Sequence, residues 1–164
     1  MAKNKRGFLL GEETVKIVIA VICIGFLVYL LVSIYFSVSD QPKIKEANAI
    51  MTSDHGIAKE ITRINGGGTP TEQGFLVPNP TGWYLFGFTE DKKPNLCSGT
   101  NCICICSNVL LDVFNAQINE CDNKGSCVVV SNLKSFDKIK IGTGGVFISI
   151  RNLNNQIVVA KNGP

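Results

Sequence analysis

The stretch IVIAVICIGFLVYLLVSIYF, residues 17–36, decides the fold. Eighteen of its 20 residues are apolar, and no charged residue occurs from Ile17 to Ser39. A helix rises 1.5 Å per residue, so about 20 apolar residues cross the hydrocarbon core of a bilayer. A chain of 164 residues forms too small a domain to bury a helix that is apolar all round. The stretch therefore predicts one transmembrane helix within residues 17–39, which explains a mean hydropathy of +0.21.

Basic residues precede this segment at Lys3, Lys5 and Arg6. Because basic residues beside a first membrane helix stay on the cytoplasmic side, residues 1–16 are predicted to be a cytoplasmic tip. The rest of the chain, residues 40–164, is then expected outside the cell membrane. Beyond residue 16 the chain has 12 basic and 11 acidic residues and no basic run, which argues against a nucleic-acid-binding protein.

A cleaved secretory signal is an alternative interpretation of the same segment. Ser37-Val38-Ser39 has the small-x-small pattern that a signal peptidase accepts. The apolar region of such signals usually has about 7–15 residues, and the leader here contains Glu12 and Glu13. A retained membrane helix is therefore preferred.

The residues before the helix carry a more specific pattern. Lys5-Arg6-Gly7 is followed by Phe8-Leu9-Leu10-Gly11-Glu12 and then by the apolar helix. This order resembles the class III signal of type IV pilins and related archaeal surface proteins. The resemblance implies cleavage by a prepilin-type peptidase between Gly7 and Phe8. Glu12 would then be the fifth residue of the mature chain.

Glu12 has a role in that resemblance. A carboxylate beside an apolar span is costly unless it is paired. In a pilin-like assembly Glu12 would meet the free amino group of a neighbouring subunit. Alternatively, it lies in the cytoplasmic headgroup region and pairs with Lys16 at i+4. Glu13 and Lys16 also depart from the bacterial pilin pattern, which is apolar at these positions.

Residues 40–68 are predicted to form a stalk helix that ends in a glycine-rich corner. Pro42 is expected to disrupt the helix locally. From Lys43 to Ile64 apolar residues recur every three or four positions, with one polar defect at Asp54. Such an amphipathic stripe predicts a helix that packs on the following sheet or, as the alternative, on a neighbouring subunit. Gly66-Gly67-Gly68 ends the helix.

Residues 69–164 are predicted to form a cysteine-rich β domain. Short apolar runs bounded by Gly, Pro and Asn are typical of strands. The expected strands are 75–77, 82–88, 102–106, 127–130, 139–141, 146–150 and 156–160, with a hairpin turn in 152–155. Residues 109–118 are ambiguous between helix and strand. A helix followed by an antiparallel sheet predicts an α+β fold, which is also the layer order of the pilin roll.

The sequence Cys102-Ile103-Cys104-Ile105-Cys106 constrains the disulfides. In a strand alternate side chains share a face, so the three thiols point one way. Residues i and i+2 are poorly placed for a mutual disulfide, so each thiol needs a partner outside the strand. Three candidates exist, Cys97, Cys121 and Cys127, of which Cys97 is expected to bond with Cys102 across a short turn. Cys104 and Cys106 then take Cys121 and Cys127 in an order that the sequence leaves open.

An even number of cysteines outside the membrane, with Cys23 alone inside it, favours disulfides in an oxidising exterior. The alternative is a cytosolic zinc or iron–sulfur module. The spacing C-x4-C-x-C-x-C lacks the CxxC pair usual in such sites, so no metal is expected.

Nothing in the sequence predicts an enzyme. His55 is the only histidine, and no phosphate-binding glycine motif occurs. We therefore expect no cofactor and a structural role. The expected partners are the membrane, a prepilin-type peptidase and like subunits or other surface proteins. The alternative function is an uncleaved, signal-anchored ectodomain that binds an extracellular partner.

Overall fold

A computed structural model gives the fold of this chain. It describes residues 6–70, 74–109 and 115–162, with the backbone alone for residues 6–13 and 36–39. Contacts divide the chain into two units, Met1–Asp40 and Gln41–Pro164. The second unit is called the head domain below.

The first helix, α1, covers Arg6–Thr52 and contains the whole apolar stretch. The helix continues through Pro42, so the expected local interruption there is wrong. A proline inside a helix removes one backbone hydrogen bond, and α1 has 36 residues before Pro42 and 10 after it to hold the helix together.

A second helix, α2, covers Ile57–Asn65. The predicted continuous helix up to Ile64 is thus broken at residues 53–56. A Cβ at Gly56 would lie 2.6 Å from the Ile50 carbonyl oxygen, so only glycine fits this tight reversal. Ile57, Ile61 and Ile64 are buried. The stripe therefore packs into the core of the head domain, as the periodicity predicts.

The head domain contains two antiparallel sheets. The strands are β1 (Phe75–Val77), β2 (Tyr84–Phe88), β3 (Cys102–Cys106), β4 (Ser126–Val129), β5 (Ile139–Lys140), β6 (Val146–Leu153) and β7 (Gln156–Asn162). Their order is β1-β6-β7 in one sheet and β4-β3-β2-β5 in the other. The α+β prediction with an antiparallel sheet stapled by disulfides is confirmed.

Of the segment 109–118, which is ambiguous in sequence, residues 110–114 lie outside the described residues, and residues 116–118 begin a third helix. This helix, α3, covers Ala116–Lys124. A 3₁₀ turn at Asn95–Cys97 precedes β3.

One apolar core of the head domain joins the end of α1 and the whole of α2 to both sheets. It contains Ala47 and Met51 from α1, the three isoleucines of α2, and Leu85, Ile103, Ile105, Ile148, Ile150, Ile157 and Val159 from the strands. Trp83, only 3% exposed, belongs to it. A second buried cluster holds the cysteines. The two sides of β3 therefore contribute to two different clusters.

Candidate functional site: the apolar helix and the sulfur cluster

The apolar part of α1 presents its side chains outward on every side. All large apolar side chains from Val15 to Tyr35 are between 37% and 70% exposed. Within the residues that the structure describes, one helix is long and apolar enough to cross a membrane. An apolar surface of this extent is stable only against lipid or another apolar surface.

The three residues singled out for processing and assembly lie in the first turns of α1. The helical backbone of Gly7, Phe8 and Glu12 is described. The side chains of Phe8 and Glu12 are outside the described part of the structure. The cleavage between Gly7 and Phe8 and the pairing of Glu12 therefore stay predictions.

The six cysteines of the head domain pair within the sheet region. The bonds are Cys97–Cys102, Cys104–Cys127 and Cys106–Cys121. Each thiol of β3 has its partner outside the strand. Antiparallel pairing of β3 with β4 places Cys104 opposite Cys127, which decides between the two orders left open by the sequence.

Two of these disulfides are in contact with each other. Cys104 Sγ lies 3.9 Å from Cys97 Sγ and 3.8 Å from Cys102 Sγ. Five of the six cysteines have no exposed surface, and Cys127 alone is partly exposed. Cys127, on β4 at the edge of its sheet, is therefore the one cysteine of the six with exposed surface.

An aromatic row runs beside the sulfurs. The register of β2 with β3 places Tyr84 opposite Cys106, Phe86 opposite Cys104 and Phe88 opposite Cys102. Neighbouring rings have centroids 6.1 Å apart. Sulfur next to an aromatic ring is a favourable contact, so the row shields one side of the cluster.

The third disulfide has a polar neighbour that the sequence did not indicate. Gln117 Nε2 lies 3.6 Å from both Cys106 Sγ and Cys121 Sγ and donates a hydrogen bond to the Ser107 carbonyl at 2.8 Å. Gln117 is only 8% exposed. Its place in α3, four residues before Cys121 and so on the same helix face, is the only sequence signal that could have found it.

Three cysteine sulfurs lie close enough together to be considered as ligands of one metal ion. The sulfurs of Cys97, Cys104 and Cys127 lie within 4.8 Å of one another. Metal ligation needs thiolates, and all three sulfurs are held in disulfides. The observed bonding state thus favours a disulfide cluster over a metal centre.

The remaining candidate residue from the sequence is His55. His55 is exposed, in the turn between α1 and α2. It lines an open groove of about 400 Å³ together with Asp54, Lys59, Glu60 and Arg63. In this groove Arg63 donates a bidentate pair of hydrogen bonds to the Glu60 carboxylate, at 2.6 and 2.8 Å, which raises the pKa of the guanidinium. Arg63 also donates a hydrogen bond to the Thr69 carbonyl oxygen, so the side chain links α2 to the segment that follows it.

Comparisons with protein families, with curated proteins and with solved structures find no match to this chain. The assignment therefore depends on the chain itself. An N-terminal apolar helix joined to a disulfide-rich domain indicates a membrane-anchored extracellular domain.

Proposed function

We propose that this chain is a single-pass, membrane-anchored structural subunit of pilin-like type. A prepilin-type peptidase removes the leader after Gly7, and the mature chain assembles with like subunits or other surface proteins. The N-terminus before cleavage is cytoplasmic, and the head domain is extracellular.

The observation that carries this proposal is the exposed apolar surface on every side of α1. A helix with apolar side chains on all sides can contact lipid while the subunit is in the membrane. It can then pack against the same helix of neighbouring subunits after assembly. The signal-like residues around Gly7 and Phe8 supply the processing site. Three disulfides suit a domain that works in an oxidising exterior.

A non-enzymatic role is part of the proposal. The single histidine, His55, is exposed and lies in the turn between α1 and α2. The only tryptophan is packed in the core. Neither residue has the partners that acid–base or nucleophilic catalysis needs among the residues described.

Mass spectrometry of the N-terminus from native membranes tests the cleavage. A chain that begins at Phe8 is expected. An intact Met1 or Ala2 contradicts the proposal and favours the uncleaved, signal-anchored ectodomain. A chain that begins at Asp40 identifies a secreted protein instead.

Assembly is tested separately with Glu12→Gln and its neighbour Glu13→Gln. If Glu12 pairs with the amino group of a neighbouring subunit, only Glu12→Gln lowers the yield of cross-linked oligomers, while both variants remain in the membrane. Equal oligomer yields in the two variants would contradict the role given to Glu12.

A further inference from the structure

The three-stranded sheet of the head domain has an open edge at β7, with a groove beside it. We propose that this groove binds an extended acidic segment of another protein, which adds to β7 as a further strand. The main chain of the segment supplies hydrogen bonds to the edge, and its carboxylates meet the lysines of the groove. This binding is independent of pilin-like assembly.

The register of the β6–β7 hairpin shows which backbone groups of β7 point outward. Leu153 pairs with Gln156 across the two-residue turn, and this closing pair is hydrogen-bonded. Opposed pairs in an antiparallel ladder alternate between bonded and non-bonded. The even-numbered residues of β7 therefore bond to β6, and the N–H and C=O groups of Ile157, Val159 and Lys161 point away from it.

The chain itself covers only the first of these three outward positions. The Ile157 N–H donates to the Asn132 carbonyl, and the Ile157 carbonyl accepts from the Lys134 N–H, both at 2.9 Å. Within the part of the chain that the structure describes, no hydrogen bond reaches Val159 or Lys161 from this side. Two N–H and two C=O groups in strand geometry are thus open, and such an edge is a template for strand addition.

The groove supplies the space that an added strand needs. It begins where the covering hydrogen bonds end and is lined by residues 136–140 on one side and 159–161 on the other. Its volume is about 370 Å³. Residues 139–140 form β5, the edge strand of the other sheet. A short extended segment therefore has room beside Val159 and Lys161.

The charge of the groove selects its occupant. Lys138, Lys140 and Lys161 line it and are exposed, against the single carboxylate of Asp137. Two copies of this edge would repel each other, which is how lysines on edge strands prevent self-pairing. An acidic segment is attracted instead, because its charge is complementary to that of the lysines.

The acidic segment comes from another protein. The two adjacent acidic pairs of this chain are Glu12-Glu13, which lies in α1, and Glu90-Asp91, which a pair of lysines follows directly. Neither pair is an extended segment with a net negative charge. A second copy of the chain is therefore a poorer occupant than a partner whose exposed segment is rich in Asp or Glu.

Fluorescence anisotropy with the full chain in detergent micelles tests the binding. The probe is a fluorescein-labelled peptide of alternating glutamate and threonine, about seven residues long. Micromolar affinity is expected in about 0.05 M salt, and the affinity should fall about threefold or more in about 0.5 M salt, which screens exposed charges. The same peptide with lysine in place of glutamate should not bind. Absence of binding by the glutamate peptide, or equal binding of both peptides, overturns the proposal.

N-methylation of every backbone nitrogen of the glutamate peptide separates strand addition from charge attraction alone. The methylated peptide keeps all its carboxylates but loses the N–H donors that would bond to the β7 carbonyls. Its affinity should be lower by about tenfold, because several hydrogen bonds are lost together. Equal affinity of the two peptides would identify a general anion-binding surface and overturn strand addition.

Lys161→Pro, compared with Lys161→Ala, locates the site on β7. Both substitutions remove the same charge, but only proline removes the outward N–H, and it leaves the bonds between β6 and β7 in place. The proline variant should bind the glutamate peptide about fivefold more weakly than the alanine variant. Equal affinities in two variants with the same urea midpoint contradict binding at this edge.

Charge reversal gives a second measurement that does not depend on proline in a strand. Lys140→Glu should weaken binding of the glutamate peptide by about threefold or more, because it turns an attraction into a repulsion. Lys59→Glu, on the exposed side of α2 and outside the groove, is the matched control and should leave the affinity unchanged. Equal effects of the two reversals overturn the proposal, and this pair decides if Lys161→Pro does not fold.

Discussion

At the residue scale, backbone conformation at Asn154 and Asn155 closes the β6–β7 hairpin. Both residues have positive φ, 52° and 63°. A two-residue hairpin turn of this kind needs left-handed backbone at both positions, which Asn and Gly tolerate better than other residues. The Asn155 carbonyl also accepts a hydrogen bond from Asn132 Nδ2 at 2.9 Å, and this bond does not need the Asn155 side chain.

Asn155→Ala and Asn155→Gly form a matched pair of substitutions at this turn. Alanine in the left-handed region should lower the free energy of unfolding by about 1 kcal/mol, whereas glycine should leave it equal or slightly raise it. Urea unfolding followed by Trp83 fluorescence measures both, because Trp83 is the only tryptophan and is buried in the head domain. Equal losses in the two variants would show that the turn tolerates any residue.

At the element scale, α2 is held by one apolar face. Its buried isoleucines face the core, while Lys59, Thr62 and Arg63 are exposed. A nine-residue helix is too short to be stable alone in water, so tertiary packing supplies its stability.

Ile61→Ala, compared with Lys59→Ala, tests this dependence. Removing a buried isoleucine should lower the free energy of unfolding by about 2–4 kcal/mol, because transfer and cavity costs add. The exposed Lys59→Ala should change it by less than about 0.5 kcal/mol. The same urea titration applies, and similar effects from both substitutions would contradict the core position of α2.

These elements also show what local sequence can and cannot predict. The isoleucine spacing predicted the buried face of α2, since helical periodicity is a local property. The periodicity does not predict the break before α2, because Asp54 fits a continuous helix with one polar defect; Gly56, whose missing Cβ allows the approach to the Ile50 carbonyl oxygen, is the local signal for that break. The partner of Cys104 depends on the register of β3 with β4, and no spacing along the chain contains that register.

At the scale of the whole molecule, the apolar part of α1 and the disulfide-bonded head domain have surfaces suited to different environments. The helix is suited to lipid, and the head domain to an oxidising aqueous exterior. Separate substitutions should therefore affect membrane retention and head-domain stability independently.

Leu27→Arg tests membrane retention. Leu27 is 59% exposed within the apolar part of α1. An arginine near the centre of a membrane helix costs about 3 kcal/mol on insertion scales, so a smaller fraction of the chain should stay in the membrane pellet after an alkaline carbonate wash. Leu27→Ala is the control and should remain in the pellet. Full retention of both variants would argue against insertion at this position.

Removing disulfides tests head-domain stability. The Cys104–Cys127 bond closes a separation of 23 residues and Cys97–Cys102 one of 5. Loop-closure entropy predicts losses of about 3 kcal/mol and about 2 kcal/mol when each pair is replaced by serine. Cys23→Ser is the control, because Cys23 is a free cysteine in the apolar helix. The reverse order of losses in the urea titration would contradict the entropic account.

The nesting of these bonds also has a mechanical consequence. Cys106–Cys121 lies inside the loop closed by Cys104–Cys127, so the two outer bonds fix separations of 5 and 23 residues along the chain. The separations would span roughly 95 Å at about 3.4 Å per extended residue, but the closed bonds hold their Cα atoms 5.6 and 4.0 Å apart, so they remove roughly 85 Å of contour length from a chain pulled at its two ends. A stretched subunit would therefore lengthen far less when these two bonds are oxidised than when they are reduced, so the bonding state of four sulfur atoms would limit how far it can extend under load.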